Sequence, residues 1–170
     1  ILGFWVADPN ISFYETYSRR ALTDQNPLLF HLILKNYFNL FGYNPDLGRY
    51  VPFFFGILSI PFLGILSYQI KSNNSYLLAI LLISLNIYLI KYSQEVRPYS
   101  LVFLLSIINL IFYYRIISLD RTYFFKKIYI FFLYIIFSVL TFLSHPFTLI
   151  IFFSQIAYSV YSFFIFKNKN

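Results

Sequence analysis

The chain has 170 residues, of which 59% are hydrophobic, 24% aromatic and only 11% charged. A soluble domain carries about 25% charged residues, and a globule this small has too much surface to hide 23 Phe and 17 Tyr. Disorder and an ordinary soluble domain are therefore excluded. The net charge of +7 does not point to nucleic acid, because the bases stand as short punctuation between apolar runs rather than as a stripe among aromatics. With no cysteine there is no disulfide framework, thiolate nucleophile or sulfur-ligated zinc. The absence of any methionine leads us to expect a segment of a longer protein.

Residues 1–7 are too short, and too uncharged at the front, for a signal peptide. Asn26-Pro27 opens an amphipathic helix over residues 28–41, with Pro27 at the first-turn position that tolerates proline. His31, Lys35 and Asn39 fall at i, i+4 and i+8, with Asn36 beside them, against Leu29, Phe30, Ile33, Leu34, Tyr37, Phe38 and Leu40. Such a helix is expected to lie in the membrane interface, with Gly42 ending it.

A hydrocarbon core of about 30 Å needs roughly 20 helical residues, and charges mark where such spans stop. They divide the rest of the chain into five expected crossings: residues 51–70, 76–90, 99–114, 128–144 and 146–166. The second is short and borrows Ser75, Lys91 and Tyr92, with the lysine stem reaching to the headgroups. Pro52 falls in the first turn of the first crossing, Pro61 is expected to kink it, and Gly56 and Gly64 permit close helix packing. The expected fold is an all-α integral membrane helical bundle, with about five transmembrane helices and one interfacial amphipathic helix. It divides into an extracytoplasmic loop with the interfacial helix, 1–50, and a single membrane domain, 51–170.

Lys71, Arg115, Arg121, Lys126, Lys127, Lys167 and Lys169 fall on one side, against the single acid Asp120. Arg19, Arg20, Lys35, Arg49, Lys91 and Arg97 fall on the other, against Asp8, Glu15, Asp24, Asp46 and Glu95. The uniformly basic loops of the first side place it in the cytoplasm. Residues 1–49, the loop 91–98 and the corner at His145 then all face outside.

No phosphate-binding glycine loop, nucleophile elbow, HExxH or CxxC is present. What remains is polar matter at the outer face. Taken singly, loop 92–99 reads as a turn between spans, and Asp24 and Asn26 as caps of the interfacial helix. Arg49 reads as an interfacial anchor, and His145 as a satisfied interfacial histidine.

In their order and spacing, however, the runs Asp24-Gln25-Asn26-Pro27-Leu28-Leu29-Phe30, Phe41-Gly42, Arg49-Tyr50-Val51-Pro52 with Gly56, and Tyr92-Ser93-Gln94-Glu95-Val96-Arg97-Pro98-Tyr99 form a pattern. It resembles the bacterial membrane glycosyltransferases of family 39. These belong to the GT-C superfamily of polyprenyl-phosphate-sugar-dependent enzymes, related to the protein O-mannosyltransferases. Ser144-His145 fits the Thr-His or similar pair at the outer end of a later span of that family. The resemblance runs from about residue 8 to about residue 156, with the later spans matching mainly by hydrophobicity.

What it implies is an inverting hexosyltransferase in a bacterial plasma membrane, with its site facing outside. Its partners would be a polyprenyl-phosphate-linked sugar donor, membrane lipid, and an acceptor glycan, lipid or protein, with no nucleic acid. The implied catalytic residues are Asp24 and Glu95. The implied substrate-binding residues are Asn26, Arg49, Gln94, Arg97 and Tyr99, of which Arg49 or Arg97 would hold the donor phosphate. His145 with Asp24 would be the ligands of a divalent metal ion, if one takes part. The chain departs from the family in having no Asp-Glu pair to act as general base; that pair is expected upstream, with a first span not in this segment. Asn26 stands where relatives often carry His or Lys. The rival expectations are a transporter or flippase segment and a non-catalytic structural membrane subunit. A transporter would place ionisable residues at mid-membrane and show two related halves, and the sequence has neither.

Overall fold

Backbone N–H and C=O groups have no water to bond in hydrocarbon, so long apolar runs of this kind must satisfy them internally as helices. The computed structural model describes residues 2–23, 28–71, 75–118 and 124–167, and among these it is helical with no strand. In chain order the helices are α1 (Leu2–Val6), α2 (Phe13–Thr23), α3 (Leu28–Phe41), α4 (Pro45–Gly48), α5 (Tyr50–Ile70), α6 (Ser75–Ser84), α7 (Ile87–Gln94), α8 (Tyr99–Ser118), α9 (Phe124–Ser144) and α10 (Leu149–Lys167). A short 3-10 turn, Pro146–Thr148, joins the last two. The fold is the expected all-α membrane bundle.

Among the described residues, three segments are long and apolar enough to cross a bilayer: Pro45–Ile70, Tyr99–Ser118 and Pro146–Phe164. The second expected crossing is not one straight helix. It breaks by 55° between α6 and α7, where the Asn86 side chain accepts hydrogen bonds from Tyr88 N and Leu89 N and so starts a new helix. The fourth is occupied by α9, whose apolar stretch Ile128–Ser144 is shorter than a full crossing. Pro61 lies inside α5, which continues to Ile70.

The bundle is organised around α5 and α8, which pack on each other, with α6 and α7 against α5 and with α9 against α8. Leu66, Ile107 and Ile111 form the buried contact towards the far end of α5. At the near end a second cluster joins Val51, Leu101 and Leu105 to Phe30, Leu34 and Phe38 of α3. The apolar face of α3 closes the end of the bundle over α5, α8 and Phe137 and Leu140 of α9. The three buried α3 side chains together contribute on the order of 5 kcal/mol from removal of apolar surface from water. His31 is buried with them, and Lys35 points inward to donate to Ile11 O (2.5 Å) and Thr16 Oγ1 (3.1 Å). Of the i, i+4, i+8 stripe, His31 is buried and Lys35 reaches the α1–α2 segment, whereas Asn39 is exposed.

Large apolar side chains such as Phe54, Leu82, Phe132 and Phe153 are exposed on the outside of the helices. That surface is too extensive for water and is what a bilayer covers.

Candidate functional site

Local chemistry delivers Arg49 to the near end of the bundle. Gly42, at φ +98°, terminates α3 in the left-handed region that glycine enters without a steric penalty. Asn44 then caps α4, its Oδ1 accepting from Asp46 N at 2.9 Å, with Pro45 in the first turn. Gly48 lets that turn sit on aromatic rings: a Cβ there would stand 2.8 Å from Phe4 Cε1 and 3.0 Å from Phe38 Cζ. Arg49 follows at the junction with α5.

The loop after α7 comes to the same place. Gly56 of α5 faces Ser93, and a Cβ at Gly56 would meet Ser93 Cβ at 2.7 Å, so the end of α7 lies directly on α5. Ser100 Oγ ties the start of α8 back by donating to Tyr92 O (3.1 Å), and the Tyr92 and Tyr99 rings pack 4.7 Å apart. Within the loop, Arg97 N donates to Glu95 O at 2.7 Å, and Arg97 Nε lies 3.4 Å from Glu95 Oε2. Gly56→Ala is expected to destabilise the protein by about 1–3 kcal/mol, with Ser93→Gly in the same chain restoring most of the loss; thermal unfolding in detergent reads both.

Two adjoining hollows result. One, of about 400 Å³, is lined by Asp46, Arg49, Tyr50, Phe53, Ser93 and Gln94. The other, of about 330 Å³, is lined by Phe4, Arg49, Gln94, Glu95, Val96 and Arg97. Arg49 and Gln94 stand between them. Among the described residues, the exposed Arg49 guanidinium has no hydrogen-bond or ion-pair partner, whereas Arg97 is engaged by Glu95. The structure therefore gathers Arg49, Gln94, Glu95 and Arg97 around one opening, with one cation uncompensated.

Neither protein families, curated proteins nor solved structures offer a match to this chain.

The remaining expected site residues are placed differently. Asp24 and Asn26 lie outside the described residues. Tyr99 lines neither Arg49 hollow; it borders a smaller one of about 230 Å³ with Asn86, Tyr92 and Ser100. His145 is at the same end of the bundle but on that side of the loop, its ring 6.3 Å from Tyr99 and 4.8 Å from Phe147. Its Nδ1 accepts from Phe147 N at 3.2 Å. Burial pushes the imidazole below the ordinary histidine value, which agrees with the neutral form that such acceptance requires. No group of three or more His, Asp or Glu side chains gathers among the described residues. The neighbours of His145 there are rings, a poor donor set for a divalent ion.

Sequence reasoning missed Phe4 as a wall of the opening, and it missed the polar contacts inside the spans. Asn109 Nδ2 donates to Ser138 Oγ (2.8 Å), and Gln155 Nε2 to Asn109 Oδ1 (2.6 Å). Tyr134 OH donates to Gln155 Oε1 (2.7 Å), and Tyr113 OH to Gln155 O (2.6 Å). Asn109 and Gln155 are buried. This network binds α8, α9 and α10 together. The signal was available: two amides inside otherwise apolar spans are costly in lipid unless they pair between helices.

Proposed function

We propose that this chain is part of a membrane glycosyltransferase that takes a sugar from a polyprenyl-phosphate carrier and transfers it, with inversion, to a hydroxyl acceptor at the outer face of a bacterial plasma membrane. The observation that carries the reading is the unpartnered Arg49 guanidinium at the opening it shares with Gln94, Glu95 and Arg97. A donor whose tail stays in the bilayer must present its phosphate at headgroup depth, and Arg49 stands at the start of a bilayer-length helix.

In the proposed step the acceptor oxygen attacks the anomeric carbon. The bond from that carbon to the phosphate oxygen breaks, and the carrier phosphate leaves with the electron pair. Arg49 meets the charge that grows on the leaving phosphate, an interaction stronger in the transition state than before it. Glu95 is the carboxylate nearest this point in the loop. Arg97 occupies its Oε2, and Oε1 is the atom that would take the hydroxyl proton. Gln94 positions the substrate between the two hollows. Asp24 and Asn26 keep the catalytic and donor-binding roles that the family resemblance implies for them, and His145 and Tyr99 frame the neighbouring hollow. The broken α6–α7 span is the one feature that favours a transporter instead, since broken helices commonly line transport sites; a transporter would move the carrier or its sugar without forming a new glycosidic bond.

Transfer of labelled sugar by membranes containing the full-length protein tests the reading. The Glu95→Ala, Arg97→Ala double variant is expected to abolish transfer, and unchanged transfer overturns the site. Orientation is tested separately. With cysteine introduced at Ser93 or at Ser118, a membrane-impermeant maleimide added outside is expected to label the first and spare the second. The opposite pattern inverts the topology.

A further inference from the structure

The opposite end of the bundle holds a larger hollow, about 650 Å³, between α5, α6 and α8. It arises because Gly64 lets α6 lean on α5, where a Cβ would stand 2.7 Å from Ile80 Cδ1, while beyond that contact the helices are held apart by tyrosines. Tyr68 of α5 meets Tyr76 of α6 edge to face, with ring centroids 5.9 Å apart, and Tyr114 of α8 completes the rim. The walls between these groups are apolar.

One charge enters the hollow. Arg115 stands in the last turn of α8. With the Gln69 amide oriented so that its oxygen faces α8, that oxygen accepts from Arg115 Nε at 2.7 Å and from Nη2 at 3.2 Å. A neutral amide thus fixes the plane of the guanidinium and leaves Nη1 and the whole positive charge for another acceptor; no described carboxylate pairs with it. Gln69 is the penultimate residue of α5, so the fork sits at headgroup depth, with apolar walls leading away towards the middle of the bilayer. Lys71, which follows α5, adds a second base at this end.

A planar cation held at headgroup depth above an apolar cleft matches a phosphodiester that carries acyl chains. We propose that this hollow is a binding site for an anionic phospholipid, with Arg115 on the phosphate, Gln69 positioning Arg115, the tyrosine rim at the glycerol level and an acyl chain along the α5–α6 cleft. The site is independent of the Arg49 opening and of any activity there.

The test is native mass spectrometry of the full chain, released from vesicles of equal parts phosphatidylglycerol and phosphatidylcholine. Wild type is expected to retain phosphatidylglycerol in preference to phosphatidylcholine, and Arg115→Gln to lower that preference about tenfold. Ile65→Trp, which fills the hollow and leaves Arg115 in place, is expected to lower it as well, and Lys91→Gln, at an exposed base of α7, to leave it unchanged. Circular dichroism confirms that each variant is helical. Preference retained in Arg115→Gln, lost equally in Lys91→Gln, or abolished by added inorganic phosphate overturns the proposal. The second result would mean general attraction of a basic protein, and the third a site for free phosphate.

Discussion

Arg49→Gln is expected to lower sugar transfer by about 100-fold or more, the loss typical when one preorganised group facing developing charge is removed. The donor phosphodiester carries a single negative charge, and the departing carrier monophosphate gains a second. The guanidinium therefore interacts more strongly as the bond breaks than before, and most of the loss should appear in kcat. Arg49→Lys keeps the charge but not the two-pronged donor geometry, so it should retain an intermediate rate. Gln at this position is not expected to unfold the chain: Arg49 is exposed and has no partner among the described residues, so its loss strands no buried group. Single-turnover transfer with labelled donor, on protein shown to be helical, makes the comparison. A rate for Arg49→Gln within twofold of wild type removes the proposed role. If the rate is unaffected while KM for the donor rises, Arg49 anchors the donor and does not stabilise the leaving group.

The sequence disclosed the bundle because bilayer thickness imposes a length, and charges cannot be hidden inside it. Residues 51–70 and 99–114 therefore correspond closely to α5 and α8. The break at Asn86 escaped the same logic: an uncharged amide does not interrupt an apolar run, yet its side-chain oxygen can replace a helical carbonyl and start a new axis. The polar stripe of α3 was visible but its destination was not. Period 3.6 says which residues share a face, whereas whether that face meets lipid, water or protein depends on the partner, here Ile11 and Thr16 for Lys35. For the site, loop 92–99 showed its cluster of polar side chains in the sequence. Its nearness to Arg49 rests on Gly56 accepting Ser93 and Gly48 accepting Phe4 and Phe38, contacts between residues far apart in the chain. Tyr99 and His145 pack instead on each other and on Tyr92 and Phe147, and no spacing encodes that.

Gln155→Leu is expected to destabilise the bundle by about 2 kcal/mol, since it strands two partners that have no water to turn to. Asn109 Oδ1 loses its donor and Tyr134 OH its acceptor, while the Tyr113 hydrogen bond to the Gln155 backbone carbonyl survives any side chain at this position. Asn109→Leu alone strands Gln155 Nε2 and removes a donor from Ser138, whose own hydroxyl still donates to Tyr134 O. Once either amide is gone, the bond between the two is already lost, and removing the other gives up only its remaining one, Asn109 to Ser138 or Tyr134 to Gln155. The double variant should therefore cost less than the sum of the single ones by about 1 kcal/mol. Equilibrium unfolding in mixed micelles, with the four proteins of the cycle compared in one detergent, measures that difference. Strict additivity would mean that the two amides act separately and that apolar packing, not the hydrogen-bonded chain, holds α10 on α8 and α9. Coupling of the expected sign makes the network the clamp on α10, a helix with most of its surface facing outward. It also predicts that α10 detaches first on heating, with the near-end opening at Arg49 still assembled on α5, α7 and α8.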